Sequence, residues 1–195
     1  MKLLAFLLLF AGQFWESKPP ADWSENELKT LLTDSPWAQM VQAPGNPGHA
    51  SAVQVMLASA DPIARAEAEW DRRYSKKKSE PDTMAEEYRA WLSENRATQI
   101  VVAISAGKPD AYSDEREMRT MEEQSVMTVG RKKYKMTGYF PPSHGDPYLR
   151  LAFPREVKQS DKNVVFELYV PGVGIGYRSA EFAVKDMLVN GKLEM

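Results

Sequence analysis

The sequence predicts an α+β fold, with N-terminal helices and strands packed on a mainly antiparallel sheet and a C-terminal β-meander. Three observations predict it. Capped amphipathic helical patterns crowd the N-terminal half, a β-branched and almost uniformly apolar run spans 99–105, and short strand patterns separated by Gly and Pro turns fill the chain from Ser125 onward. At 195 residues the chain is long enough for one well-packed core.

The extreme N-terminus stands apart. Lys2 precedes the apolar run Leu3–Phe10, followed by Ala11 and Gly12 and then by Glu16 and Lys18. That order of charge, apolar core and small residues is that of a secretory signal, assigned here to residues 1–13 with cleavage between Ala11 and Gln13. The run is shorter than the roughly 20 apolar residues that a bilayer span needs, so no membrane span is expected after signal removal. An uncleaved anchor and a buried N-terminal element of a cytosolic protein are the alternatives. Residues 14–22, with Pro19-Pro20, read as a short stiff linker. Residues 23–195 read as a single domain, with a subdomain split near Ala111 as the alternative.

Within that domain each element has a local cause. Ser24 with Glu27 forms a capping box, and Trp23 with Leu28 has the spacing of a hydrophobic staple. The helix they start presents Leu28, Leu31 and Leu32 and ends before Ser35-Pro36. Strands are expected at 37–43 and 53–59, joined by a turn-rich loop that ends at His49. Asp61-Pro62 opens a helix with Ile63, Ala66, Trp70 and Tyr74 on one stripe. Lys76, Lys77 and Lys78 then form an exposed connection. Thr83 with Glu86 is a second capping box, for a helix that buries Met84, Tyr88, Trp91 and Leu92. The run 99–105 is the central strand, apolar on both sides and hence covered on both. A charged helix over 113–123 and strands at 126–129, 132–137, 148–153, 164–169 and 177–184 complete the pattern. Gly130-Arg131 and Asn190-Gly191 have the form of two-residue hairpins.

Composition narrows the function classes. A formal charge of −2 with both signs mixed along the chain creates no field that would gather nucleic acid, and no nucleic-acid partner is expected. The chain has no cysteine, which excludes disulfides, thiolate metal sites and a Cys nucleophile, and suits an oxidising compartment. Periplasmic or secreted localisation is the expectation.

Motifs that carry chemistry are few. His49 and His144 sit in Pro/Gly-rich loops with no second histidine at helical or hairpin spacing, so no metal and no cofactor is expected. Ser143-His144-Gly145-Asp146 holds a nucleophile, a base and a carboxylate. An imidazole must bridge the other two through opposite nitrogens, which neighbours in one turn do not allow, so no catalytic residue is assigned. The glycines between Gly172 and Gly176 lead into a strand and read as a hairpin, not a phosphate loop. Arg131, Lys133 and Lys135 alternate along one strand face as a candidate grip for an anionic polymer or lipid headgroup. The simpler reading is that they guard an exposed sheet edge. Carboxylates such as Glu67, Glu69 and Asp71 read as solvated ion-pairing groups on helix surfaces, as with Glu69 and Arg73 at i and i+4.

The segments Trp23–Leu28, Ser35–Ala38, Ser59–Arg65, Phe153–Arg155, Phe182–Met187 and Gly191–Glu194 share a further property. Together they resemble an uncharacterised group of exported soil-bacterial proteins of acidobacterial type, some of which carry a GWxTD-domain label. The Gly-Trp-x-Thr-Asp string itself is missing here. The resemblance runs through most of the chain after the leader and implies no activity, cofactor or catalytic residue. Its polar members Arg65 and Arg155, each near a Pro and an element boundary, are candidate binding residues that would pair with a buried carboxylate or with carbonyl groups.

Three functions follow as expectations. The first is a non-enzymatic exported domain that binds an envelope protein or polymer or stabilises an envelope assembly. The second is a hydrolase of envelope or extracellular polymer working through paired carboxylates. The third is an anion- or lipid-binding module at Arg131, Lys133 and Lys135.

Overall fold

The computed structural model describes residues 13–44, 52–74, 82–105 and 109–195. The leader-like run before Gln13, His49 and the Lys76, Lys77 and Lys78 connection lie outside the described residues. In chain order the elements are α1 (Phe14–Ser17), a 3-10 turn (Pro20–Asp22), α2 (Glu25–Thr33), β1 (Ala38–Val41), β2 (Val53–Leu57), α3 (Asp61–Tyr74) and α4 (Thr83–Asn95). Next come β3 (Gln99–Ser105), α5 (Glu115–Gln124), β4 (Val126–Val129), β5 (Lys132–Lys135), β6 (Gly138–Phe140), β7 (Tyr148–Pro154), β8 (Asn163–Tyr169) and β9 (Tyr177–Ala183). A small hairpin, β10 (Leu188–Val189) and β11 (Lys192–Leu193), closes the chain. The fold is α+β, and every strand pairing among the described residues is antiparallel. No helix among the described residues is long and apolar enough to cross a membrane.

Two sheets form the body. The larger runs β1-β2-β3-β7-β6 and the smaller β5-β4-β8-β9. The C-terminal strand meander is present, and β6 and β7 carry part of it into the larger sheet. After β5 the chain crosses at Met136-Thr137, where Thr137 N–H donates to Ala152 O at 2.8 Å. Sequence patterning anticipates β4 and β5 but not β6, because its three residues are only half-buried and precede Pro141-Pro142.

The register of β3 against β7 decides what lies on each face of the larger sheet. Residues directly opposite in an antiparallel pair share a face, and that face alternates along each strand. Ile100 pairs with Phe153, Val102 with Leu151 and Ile104 with Leu149, all fully buried. These face the smaller sheet, where Phe153 meets Phe166 edge-on with ring centroids at 5.4 Å, and Phe166 meets Phe182 at 6.1 Å. Burying each such Phe or Leu side chain contributes roughly 1.5–3 kcal/mol relative to exposure. The opposite face carries Val101, Ala103, Ala152 and Arg150, and it is covered by helices. Tyr88 and Trp91 of α4 pack on Phe140 of β6, whose register partner is Arg150. The expected double coverage of β3 is therefore met by different layers on its two sides.

Local signals position the helical layer. Ser24 Oγ accepts from Glu27 N–H while Glu27 reaches back to Ser24 N–H at 2.7 Å, completing the capping box. Trp23 and Leu28 are both buried, as a staple requires. On α4 the cap is Asp82, which accepts from Ala85 N–H at 3.2 Å, so Thr83 is the first helical residue and not the expected cap. A carboxylate one position earlier offers a stronger acceptor than the threonine hydroxyl.

The stretch 14–22, expected as a linker, is folded against the body. Phe14 packs edge-on against Trp23 and Trp15 against Trp37, with ring centroids at 5.8 and 5.4 Å. Arg73 donates to the carbonyls of Trp23, Pro20 and Ala21, and is itself held by Glu69 at 2.5 Å. Prolines stiffen the segment, but its two aromatic side chains give it apolar surface worth burying.

Turn geometry agrees with the expected hairpins. Val189 pairs with Lys192 across Asn190-Gly191, both at positive φ (48° and 76°), a conformation that Asn and Gly adopt most readily. The glycine-rich stretch joins β8 to β9. Gly172 sits at φ +74° with Ala111 so close that a Cβ would lie 2.3 Å from its methyl carbon, so glycine is required there.

Candidate functional site

Among the described residues, a cavity of about 370 Å³ opens between α2, α3, α4 and the loop before β7. Its size is within the range of small-molecule sites, roughly 300–1,000 Å³. Leu32, Trp70, Leu92 and a set of alanines line its apolar walls, and Tyr88, Tyr148, Glu67, Asp71, Asp146 and Arg150 line its polar end.

Arg150 is the centre of that polar end. Strand alternation puts it on the helix-facing side of β7, between apolar neighbours, and it is only 5% exposed. Its Nε donates to Asp146 Oδ2 at 2.5 Å and its Nη2 to Asp146 Oδ1 at 3.2 Å. Nη2 also donates to Glu67 Oε1 at 2.8 Å, and Nη1 donates to Glu67 Oε2 at 3.4 Å and to Tyr88 Oη at 3.3 Å. The guanidinium further stacks over the Tyr88 ring at 4.3 Å and lies 5.5 Å from the Tyr148 centroid. All five of its N–H groups are thus engaged.

Each partner is placed by its own element. Glu67 lies four residues after Ile63 and three before Trp70, on the apolar stripe of α3. Asp146 comes from the Ser143–Asp146 turn, closed by Ser143 N–H to Asp146 O at 2.7 Å. Ser143 Oγ anchors that turn to Asp82 at 2.8 Å, which ties the cap of α4 to the wall of the cavity. Ser143 and Asp146 are therefore committed to Asp82 and Arg150, and neither is arranged around an imidazole.

Burial shapes the protonation of these groups. It pushes the Glu67 carboxyl above the usual carboxylate range, a shift that the Arg150 guanidinium opposes and the Asp146 and Asp71 carboxylates reinforce. Burial also pushes Tyr88 up to about 12 and raises Tyr148. Burial acts to strip the proton from Arg150, but Glu67, Tyr88 and Asp146 outweigh it, so Arg150 holds its proton more firmly than an ordinary arginine. Among the described residues, no group of three or more His, Asp or Glu side chains is arranged to hold a metal ion.

The residues singled out by sequence lie elsewhere. Arg65 donates to Asp61 Oδ2 at 3.2 Å and to Trp15 O at 3.1 Å and lies 4.9 Å from the Trp23 ring centroid, fastening the N-terminal segment. Arg155 donates to Arg96 O at 3.1 Å and to Met195 O, fastening the C-terminal residues, and burial lowers its pKa. Both make the carbonyl contacts anticipated for them, and neither lines the cavity. Arg131, Lys133 and Lys135 are exposed at β5, an edge of the smaller sheet, and Lys133 pairs with Glu167 at 3.1 Å.

Sequence reasoning passed over the cavity residues. Glu67, which its spacing presents as a solvated helix carboxylate, sits on the stripe between Ile63 and Trp70 and lines the cavity. Arg150 offered the clearest signal, a lone cation inside the apolar strand 148–153. Glu69 is buried as well, at 7% exposure, though its pairing with Arg73 is as the spacing predicts.

Compared with known proteins, the chain matches no family model, no curated protein and no solved structure.

Proposed function

We propose that this chain is a non-enzymatic binding domain, acting outside the cytoplasm, that takes up a small organic molecule in the cavity between α2, α3 and α4. The observation that carries the reading is the buried Arg150, Glu67 and Asp146 cluster on the wall of a mostly apolar cavity. Burying ions in a fold costs several kcal/mol each, and an apolar replacement of similar volume would hold the helices on the sheet at least as well. A few charged groups placed in a mostly apolar cavity are what orients a ligand. Export is supported by the leader-like order of Lys2, Leu3–Phe10, Ala11 and Gly12.

The test is a thermal-shift screen of small apolar and amphipathic molecules. Ligands that bind only the native state raise Tm by mass action. We expect responders, and we expect Ala68→Trp, at an exposed position on the cavity wall, to abolish their effect while the variant alone melts near the wild type. Responders whose shifts survive Ala68→Trp, or a screen without responders, would remove the reading. For export, N-terminal sequencing of protein from the periplasm or medium should begin between Gly12 and Phe14, and full-length chain retained in the cytosol would refute it.

A paired-carboxylate hydrolase is the second reading, because Glu67 and Asp146 both bond Arg150 Nη2, at 2.8 and 3.2 Å. By the triangle inequality those two oxygens are no more than about 6 Å apart, a limit that admits the roughly 5–5.5 Å spacing of retaining glycosidases. Against it, the guanidinium fills the space in which a scissile bond would have to sit.

A further inference from the structure

The chemistry of the polar end also selects the charge of the ligand, provided that the cavity is a binding site as proposed above. Arg150 has no donor left over, since its five N–H groups serve Asp146, Glu67 and Tyr88. An anionic ligand therefore finds no receptor in it. Glu67 is in the opposite condition. Each of its oxygens accepts one bond from Arg150 in the described structure, a carboxylate offers about four acceptor positions, and a fifth of the side chain stays accessible where it lines the cavity. Two carboxylates facing one guanidinium leave the cluster one positive charge short. Trp70 and Tyr148 line the same space, and aromatic rings attract cations. The other cations of the lining, Lys29 and Arg89, do not reverse this, because Lys29 is exposed and held by Glu25 at 2.5 Å, and Arg89 lies on an exposed part of α4.

We infer that the cavity is selective for a small organic amine, whose ammonium docks on Glu67 and whose apolar body lies against Leu32, Trp70 and Leu92. The absence of a metal-type grouping among the described residues favours an organic cation over a metal ion. An ammonium arriving at Glu67 also stabilises its ionised form, so uptake releases a proton wherever the free carboxyl still carries one.

The test is calorimetric titration of the full chain with hexylammonium, hexanol and hexanoate, three probes with one tail and different heads. Hexylammonium should bind roughly tenfold or more tightly than hexanol, the worth of one charge-assisted hydrogen bond, and hexanoate should bind most weakly. Glu67→Gln should erase the preference for hexylammonium over hexanol. Titrating the wild type in buffers of different ionisation heat should show proton release with hexylammonium and none with hexanol, a readout that stands even if the variant fails to fold. Hexanoate or hexanol binding as well as hexylammonium would overturn the inference and leave the binding reading standing. No binding by hexylammonium overturns it too, and only a blank thermal-shift screen alongside removes the binding reading as well.

Discussion

The two faces of the larger sheet are covered by opposite chemistry. Toward the smaller sheet, Leu149, Leu151 and Phe153 face a layer in which Phe153 meets Phe166 and Phe166 meets Phe182, apolar but for the buried Arg178, which donates to the backbone carbonyl of Tyr177, whereas one residue along the same strand Arg150 faces α3 and α4 with two carboxylates and a cavity. A single strand thus serves both layers through its two-residue alternation. The difference teaches how each layer must be held: the apolar layer by burial alone, the ionic layer only if its charges offset one another's desolvation.

Removing one member from each face should produce similar losses for different reasons. Arg150→Met should cost about 3–5 kcal/mol in urea unfolding, because Glu67 and Asp146 are left buried without a counter-charge. Phe166→Ala should cost about as much, by leaving a hole between the sheets. Rescue separates the two. Adding Glu67→Leu and Asp146→Leu to Arg150→Met should restore wild-type stability or exceed it by about 1–4 kcal/mol. A triple variant as weak as Arg150→Met would show that the ionic cluster holds the helices in place, and the contrast between the faces would fail.

The pH dependence sharpens the same contrast. The folded chain holds the Glu67 proton to higher pH than the unfolded chain does, because burial raises the carboxyl above its ordinary value. The folded state therefore binds the extra proton across that window, and its stability falls as pH rises from about 4.3 through the raised value. Glu67→Gln has no such loss, so it should gain on the wild type between acidic and neutral pH when urea midpoints are compared. The reverse trend would mean that Arg150 dominates burial at this carboxyl. Smallest of all, Lys133→Ala should change stability by less than about 1 kcal/mol, as fits an exposed pair with Glu167 on neither face of the larger sheet.

Much of the fold was legible in the sequence, because helix caps, two-residue hairpins and hydrophobic periods are local signals. Ser24 with Glu27, Asn190-Gly191 and the run 99–105 all mark elements where the structure has them. What was not legible depends on partners distant in the chain. Strand β6 exists because β7 pairs with it, and Phe14 and Trp15 are ordered because Trp23 and Trp37 receive them. The candidate site was largely hidden for the same reason. Arg150 lies 83 residues from Glu67 in the chain, and only the register of β7 against β3, with α3 laid over it, brings them together. A charge inside an apolar strand pattern was the one local sign available.

The region around Trp37 gathers both ends of the described chain. Trp15 packs on its ring, its Nε1 donates to Glu194 O at 2.7 Å, and Asn190 N–H donates to Glu16 Oε1 at 2.8 Å. With residues 14–16 beside residues 190–194, a short peptide would span the gap, and the polypeptide could be reopened at a surface turn such as Gly130-Arg131 with its strand pairings intact. Circular permutation of residues 14–194 is thereby available to this architecture.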